Sequence, residues 1–174
     1  GSKRLCFVGP DYLKSGRVAA TMVDKCRQNT PLKILVVVGY KEHLGHKTRV
    51  EGFISELKAR RNDFEIVDVI EGKDQDIITQ QVTMKAFLAH PEINVVYMAT
   101  GSGVSGLGAA IIADAVHQRF VVACDEIYTT KELVKNDIID FVICQSPVVQ
   151  GYQVIKKLHD YLNKIGTQPE DYIV

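Results

Sequence analysis

Four polar side chains stand beyond the ends of apolar runs in this chain: Arg49, Thr100, Asp125 and Gln145. Arg49 offers a planar fork of donors that pairs two ligand hydroxyls or a carboxylate. An ionised Asp125 is acceptor-only and suits a pair of sugar hydroxyls, while Thr100 and Gln145 both donate and accept. Taken singly, each has a plainer reading. Arg49 reads equally as a solvated arginine in the first turn of a helix, where a cation opposes the dipole, and Asp125 as a helix or turn cap. Their shared position links them, because open parallel α/β sheets bind ligands outside the carboxyl ends of their strands.

Other chemistry finds thin support. Thr100-Gly-Ser-Gly-Val-Ser-Gly106 follows a strand-like run and opens a helix, as a phosphate loop does. It lacks the Lys-Ser/Thr ending of a Walker loop, and its G-x-G-x-x-G spacing follows the third main strand rather than the first. Glycine there reads as a tight turn and close backbone approach at a cleft. Ser102 and Ser105 belong to no G-x-S-x-G elbow. Asp125 and Glu126 are neighbours on a strand end and aim apart, unlike a glycosidase pair. His43 and His46 share a loop, yet a structural metal needs two further ligands, so the five histidines read mostly as surface residues. Cys6, Cys26, Cys124 and Cys144 have no metal-ligand spacing and read as buried free thiols of a reduced compartment, which points to the cytoplasm. No catalysis, metal or cofactor is expected.

The elements that must hold these groups alternate. Apolar runs at 35–38, 64–70, 93–98, 120–124 and 141–144 read as strands, the first extending back to Leu32 as a β-branched stretch of the kind buried on both faces of a parallel sheet. A short extended segment, 4–8, precedes them. Helical spacing of apolar residues predicts helices over 13–27, 46–61, 74–90, 105–118 and 148–165. A shorter helix over 130–136 has Glu132 in its first turn. The expected inward positions include Val18, Ala19, Met22, Val23 and Cys26 in the first helix and Val50, Phe53, Ile54 and Leu57 in the second. In the third they are Ile77, Ile78, Val82 and Phe87. Gly106 and Gly108 each weaken their helix by roughly 1 kcal/mol relative to alanine. The last helix carries Val149, Tyr152, Ile155, Leu158 and Leu162 on one face and stops at Gly166-Thr-Gln-Pro169. Strands alternating with such helices imply an α/β three-layer sandwich with a five-stranded parallel sheet, in the order 2-1-3-4-5.

Composition agrees with one such domain. The 174 residues are 46% apolar and 24% charged, ordinary for a globular chain. Lys+Arg and Asp+Glu are both 21, so the basic footprint of a nucleic-acid contact is missing. No apolar stretch approaches the roughly 20 residues that span a bilayer. Gly1-Ser2 reads as a cloning remnant, which puts the native start elsewhere.

Four segments together resemble the effector-binding core of the lactose-repressor/galactose-repressor family, built on the type I periplasmic-binding-protein fold. Asp11-Tyr-Leu-Lys-Ser-Gly16-Arg-Val-Ala19 is similar to that family's Asp-Asn-x-x-Gly-Gly-x-x-Ala segment, and Arg49-Val-Glu-Gly52-Phe53 to its Arg-x-x-Gly-Phe. Val121-Val-Ala-Cys-Asp125-Glu126 resembles its Val-Val-Gly-Phe-Asp-Asp strand end. Cys144-Gln145-Ser-Pro147 with Gly151 resembles its Thr-x-x-Gln-Pro…Gly segment. The likeness runs from about Arg4 to Leu162.

The resemblance implies that Arg49 and Asp125 bind the effector, that Gln145 lines the cleft near the hinge, and that Thr100 replaces the asparagine of an Asn-Asp pair. It also implies a division into a crossover segment (1–12), a C-terminal effector-binding subdomain (13–146) and a return helix and tail (147–174) belonging to an N-terminal subdomain. That subdomain and the DNA-binding headpiece are expected to be missing from the sequence, leaving a fragment whose last helix exposes an apolar face. The implied partners are a small-molecule effector (a small sugar or related polar metabolite), DNA only through the helix-turn-helix headpiece, and a second copy in a homodimer, with no membrane. Two alternatives stand beside this reading: a solute-binding module of a sugar transporter or sensor kinase, and a small α/β enzyme using the Gly101–Gly106 turn.

Overall fold

Leu32–Val38 is apolar at every position but Lys33, as a β-branched strand covered on both faces of a parallel sheet is. In the computed structural model, which describes residues 4–166 and 168–174, it becomes the second strand of the chain. Gly1-Ser2, read above as a cloning remnant, and Thr167 of the expected helix stop lie outside the described residues. In chain order the elements are β1 (Val8–Gly9), α1 (Tyr12–Cys26), β2 (Leu32–Val38), α2 (Leu44–Arg60), β3 (Phe64–Glu71), α3 (Asp76–Ala89) and β4 (Val95–Met98). They continue with α4 (Val104–Ala113), β5 (Phe120–Cys124), α5 (Tyr128–Lys135), β6 (Phe141–Ile143), α6 (Pro147–Leu162) and β7 (Tyr172–Ile173).

The residues group into two compact units, one spanning Tyr12–Cys144 and the other built from residues 4–11 and 145–174. The larger unit holds a five-stranded sheet in the order β3-β2-β4-β5-β6, every pair parallel. This is the anticipated 2-1-3-4-5 arrangement of the five main strands. Alternate residues of each strand go to opposite faces, and two cores result. On one face Ile34, Val36, Val38, Tyr97 and Val122 meet Ala19, Ala20 and Val23 of α1 and Phe53 and Leu57 of α2. On the other, Leu35, Val37, Val96, Met98 and Val121 meet Ala86 and Phe87 of α3 and Leu107 and Ala110 of α4. Each fully buried aliphatic or aromatic side chain contributes roughly 1.5–3 kcal/mol.

Glycines set how closely the helices approach, and they turn two faces away from their expected orientation. A Cβ on Gly16 falls 2.0 Å from the Arg49 carbonyl oxygen, and one on Gly52 falls 2.2 Å from that of Leu13. Backbone-to-backbone packing of α1 on α2 therefore buries Ser15, Gly16, Ala19, Ala20 and Val23 and leaves Val18 and Cys26 exposed. On the other face a Cβ on Gly106 falls 1.9 Å from the Asp76 carbonyl oxygen. That contact turns Thr79 and Thr83 inward and puts Ile77 in solvent. Gly106 thus serves helix packing, at the helix-propensity cost expected of it.

Several boundaries also move. α4 ends at Ala113, five residues before the expected stop, because Asp114 turns back to accept from His117 Nδ1 at 3.0 Å and pairs with Arg119. α5 opens at Tyr128, so Glu132 lies beyond its first turn, and Thr130 Oγ1 accepts from the Ile127 N–H instead. Of the cysteines, all free, Cys124 is buried in the core at the end of β5, Cys6 half-buried, and Cys26 and Cys144 exposed, so only one of the four is the buried thiol expected.

In the smaller unit β1 pairs parallel with β7, Val8 opposite Tyr172 and Gly9 opposite Ile173. The sequence reading has 4–8 extended but no strand in the tail. Pro147 occupies the first turn of α6, as its fixed φ favours. No residue of α6 is buried, and Tyr152, Ile155 and Leu162 are each more than 60% exposed. Among the described residues, no helix is long and apolar enough to cross a membrane.

Candidate functional site

The carboxyl ends of β2, β3, β4 and β5 gather one set of polar groups in the larger unit. α2 begins at Leu44, two residues before the expected start, so Arg49 sits in its second turn and its side chain is only 4% exposed. The solvated-arginine reading is thereby overturned. The guanidinium Nη1 donates to the Ala99 carbonyl oxygen at 2.8 Å, Nη2 lies 3.6 Å from Asp125 Oδ1, and the group rests 5.1 Å from the centre of the Tyr12 ring. A buried arginine demands such partners, because a charge removed from water is costly unless paired.

Asp125 follows β5 with φ of +73°, in the left-handed region that aspartate tolerates better than most residues. Its backbone N–H donates to the Ile143 carbonyl at the end of β6, which fixes where its carboxylate points. A Cβ on Gly101 would meet that carboxylate at 2.6 Å, so the glycine gives it room. Burial pushes the Asp125 carboxyl above its ordinary value, opposed by the Arg49 guanidinium and the Gly101 N–H. Arg49 Nε and Asp125 Oδ1 are both buried and make no hydrogen bond among the described residues.

Thr100, buried at the end of β4, accepts from the Ser102 N–H at 3.2 Å and donates to Asp74 Oδ1 at 3.4 Å. Gly103 takes φ of +84° in the same turn. The Gly101–Gly106 segment is thus a tight turn under a carboxylate. Arg49 and Asp125 form one pair, and Thr100 stands at the end of the neighbouring strand. Gln145 begins the second stretch of the smaller unit, half-buried, with its backbone carbonyl accepting from Gln150 Nε2.

The floor beneath these groups is apolar and inert. Tyr97 stacks on Phe53 at 4.3 Å, and its hydroxyl lies 4.0 Å from Cys124 Sγ. Burial pushes the Cys124 thiol up to about 11, so it stays protonated and is unsuited as a nucleophile.

Two contributors escaped the sequence reading. His46, expected at the surface, is buried, because the earlier start of α2 turns it inward. Its Nδ1 lies 3.4 Å from the Tyr40 amide nitrogen and 3.3 Å from its carbonyl oxygen. Burial, and then neighbouring His43, hold its imidazole below the ordinary histidine value, which keeps it neutral at pH 7. Asp74 was read only as a helix start. It stands beyond the one strand to which no polar group had been assigned, and the same strand-end rule could have found it. Among the described residues no cluster of His, Cys, Asp and Glu could hold a metal ion.

With this geometry in place, likeness to known proteins becomes informative. A family model described as a periplasmic binding protein domain matches residues 1–167. The chain belongs to that family. No curated protein sequence matches it. Among solved structures, this periplasmic binding protein domain is similar in fold to an ABC transporter solute-binding protein from Burkholderia graminis, solved in complex with D-arabinose (TM-score 0.90, 17% identity, 98% of this chain and 60% of that one). It is similar also to AraP, an arabinose-binding protein from Geobacillus stearothermophilus (0.85, 20% identity, 99% and 61%). A third is the glucose-galactose-binding protein GanP of the same organism (0.89, 16% identity, 98% and 61%). The chain therefore spans about three-fifths of the length of each.

Proposed function

We propose that the Tyr12–Cys144 unit forms one wall of a sugar-binding site and holds a small sugar reversibly, without changing it. The observation that carries this reading is the Arg49–Asp125 pair at the strand ends, a buried donor fork beside a carboxylate oxygen that lacks a hydrogen bond. Such an acceptor is costly to leave unmade, and a sugar hydroxyl satisfies it while a neighbouring hydroxyl takes the guanidinium. Thr100 supplies a further donor and acceptor. Gln145 joins the set through the sequence resemblance alone.

The motif likeness favours the ligand-sensing part of a lactose-repressor/galactose-repressor regulator. Such a protein is a cytoplasmic homodimer in which the sugar controls DNA binding through a helix-turn-helix headpiece. The solved structures favour a second reading equally well, since an ABC transporter solute-binding protein and two sugar-binding proteins share the fold. In that case the protein delivers its sugar to a transporter or sensor and works outside the cytoplasm. Thermal-shift screening of the intact protein against D-arabinose, D-galactose and D-glucose tests the common part. At least one sugar raises the melting temperature, and Arg49→Ala and Asp125→Ala each abolish the shift; undiminished affinity in both variants refutes the site. Sugar-dependent release from genomic DNA then supports the regulator, and no DNA binding at all supports the transport reading.

A further inference from the structure

Asp74 is held at the site by more than its place in the chain. The Gly72 and Lys73 amides donate to the carbonyls of Val38 and Gly39 at 2.8 and 2.9 Å, which ties the end of β3 to the end of β2. Lys73 and Asp74 then take φ of +52° and +55°, a strained pair that persists only where the surroundings enforce it and that gathers at functional sites. The result lays the Asp74 carboxylate over Gly39, where a Cβ would lie 2.1 Å from Oδ1. Thr100 Oγ1 donates to the same oxygen at 3.4 Å. Asp74 is exposed, and among the described residues no ion pair engages it. Arg49 meanwhile is committed to the Ala99 carbonyl and to Asp125. The wall therefore presents two carboxylates and one cation already paired, with Lys73 out in solvent.

We propose that Asp74 is a second ligand-contacting carboxylate, and that with Asp125 it selects neutral sugars over sugar acids and sugar phosphates. The inference rests on the sugar-binding reading. Hydroxyls on two edges of a neutral sugar donate to the two carboxylates. An anionic substituent meets like charge at close range, and among the described residues this wall has no unpaired guanidinium to receive it.

Calorimetric titration of the intact protein tests this with D-arabinose, D-galactose, D-galacturonate and D-galactose 6-phosphate, on wild type, Asp74→Ala and Asp74→Asn. The isosteric asparagine variant guards against misfolding, checked by matched melting curves. A neutral sugar binds wild type and weakens at least tenfold in Asp74→Ala. Galacturonate binds wild type at least a hundredfold more weakly than galactose, and Asp74→Asn narrows that gap at least fivefold. Neutral-sugar affinity within twofold of wild type in Asp74→Ala, or galacturonate binding wild type as well as galactose, overturns the Asp74 assignment while sugar binding stands. If neither neutral sugar binds wild type, the sugar-binding reading falls, and this inference with it.

Discussion

Replacing Arg49 with methionine keeps the length and apolar body of the side chain and removes the fork, so the change isolates what the guanidinium does. Two costs follow from the geometry. The fully buried Ala99 carbonyl loses a charged donor at 2.8 Å, worth about 1.5–3 kcal/mol. Asp125 loses its only close cation among the described residues, 3.6 Å away. Breaking a fully buried pair costs about 3–5 kcal/mol, but the Asp125 side chain is 28% exposed, and water screening reduces that share to about 1 kcal/mol. The expected total is about 3 kcal/mol, or about 6–12 °C in Tm for a chain of this size. Asp125→Asn removes a carboxylate that burial already disfavours in its charged form, so it costs under about 1 kcal/mol. The double variant recovers about 1 kcal/mol relative to the sum, the coupling expected of groups in contact. Urea unfolding followed by circular dichroism on the four proteins measures the cycle. A loss below about 1 kcal/mol in Arg49→Met, or strict additivity in the double variant, refutes the claim that this pair is a preorganised unit.

Three further outcomes follow. Gly52→Ala and Gly106→Ala bring a methyl within 2.2 and 1.9 Å of backbone carbonyl oxygens and lower stability by about 1–3 kcal/mol; Gly151→Ala in α6, with nothing within 4 Å, raises it by up to about 1 kcal/mol, and melting curves that fail to separate the two classes refute the packing account. Burial lowers the His46 pKa in the folded state, so the unfolded chain takes the proton first and stability falls as pH drops below about 6.5. In His46→Asn that part of the pH slope, measured by urea midpoints between pH 7.5 and 5.5, disappears. Burial raises the Asp125 pKa, so protonation removes an acceptor and sugar affinity begins to fall at a pH above the ordinary carboxylate value of about 3.9; affinity constant down to that value contradicts the role given to Asp125.

The sheet was legible because its signal is local and redundant. Leu32–Val38 and Phe120–Cys124 are buried on both faces and read as near-continuous apolar runs, and helices between them leave few orders for a parallel sheet. The helix faces were less legible, since periodicity weighs apolar residues and overlooks close backbone approach. Gly16 and Gly106 decide which residues of α1 and α3 turn inward, so Thr79 and Thr83 are buried in place of Ile77. The β1–β7 pair was missed because two residues of strand separated by more than 160 positions carry no pattern. At the site, Thr100 and Asp125 were legible as polar groups just past apolar runs, and Arg49 as a cation in the helix after β2 within an Arg-x-x-Gly-Phe segment. The strand-end rule passed over Asp74 because Gly72 and Lys73 intervene and an acidic residue before a helix has an ordinary explanation as a cap. His46 was hidden by a helix start displaced two residues, which turned an apparent surface histidine inward.

The role proposed for the strand-end wall of Arg49, Thr100 and Asp125 is to hold a sugar. A crystal structure of the intact protein with the best-binding sugar from the screen tests it most directly. The expected result is a sugar hydroxyl about 2.6–2.9 Å from Asp125 Oδ1, which makes no hydrogen bond among the described residues, with an adjacent hydroxyl accepting from Arg49. A sugar bound elsewhere, with Asp125 Oδ1 still unpartnered, contradicts it.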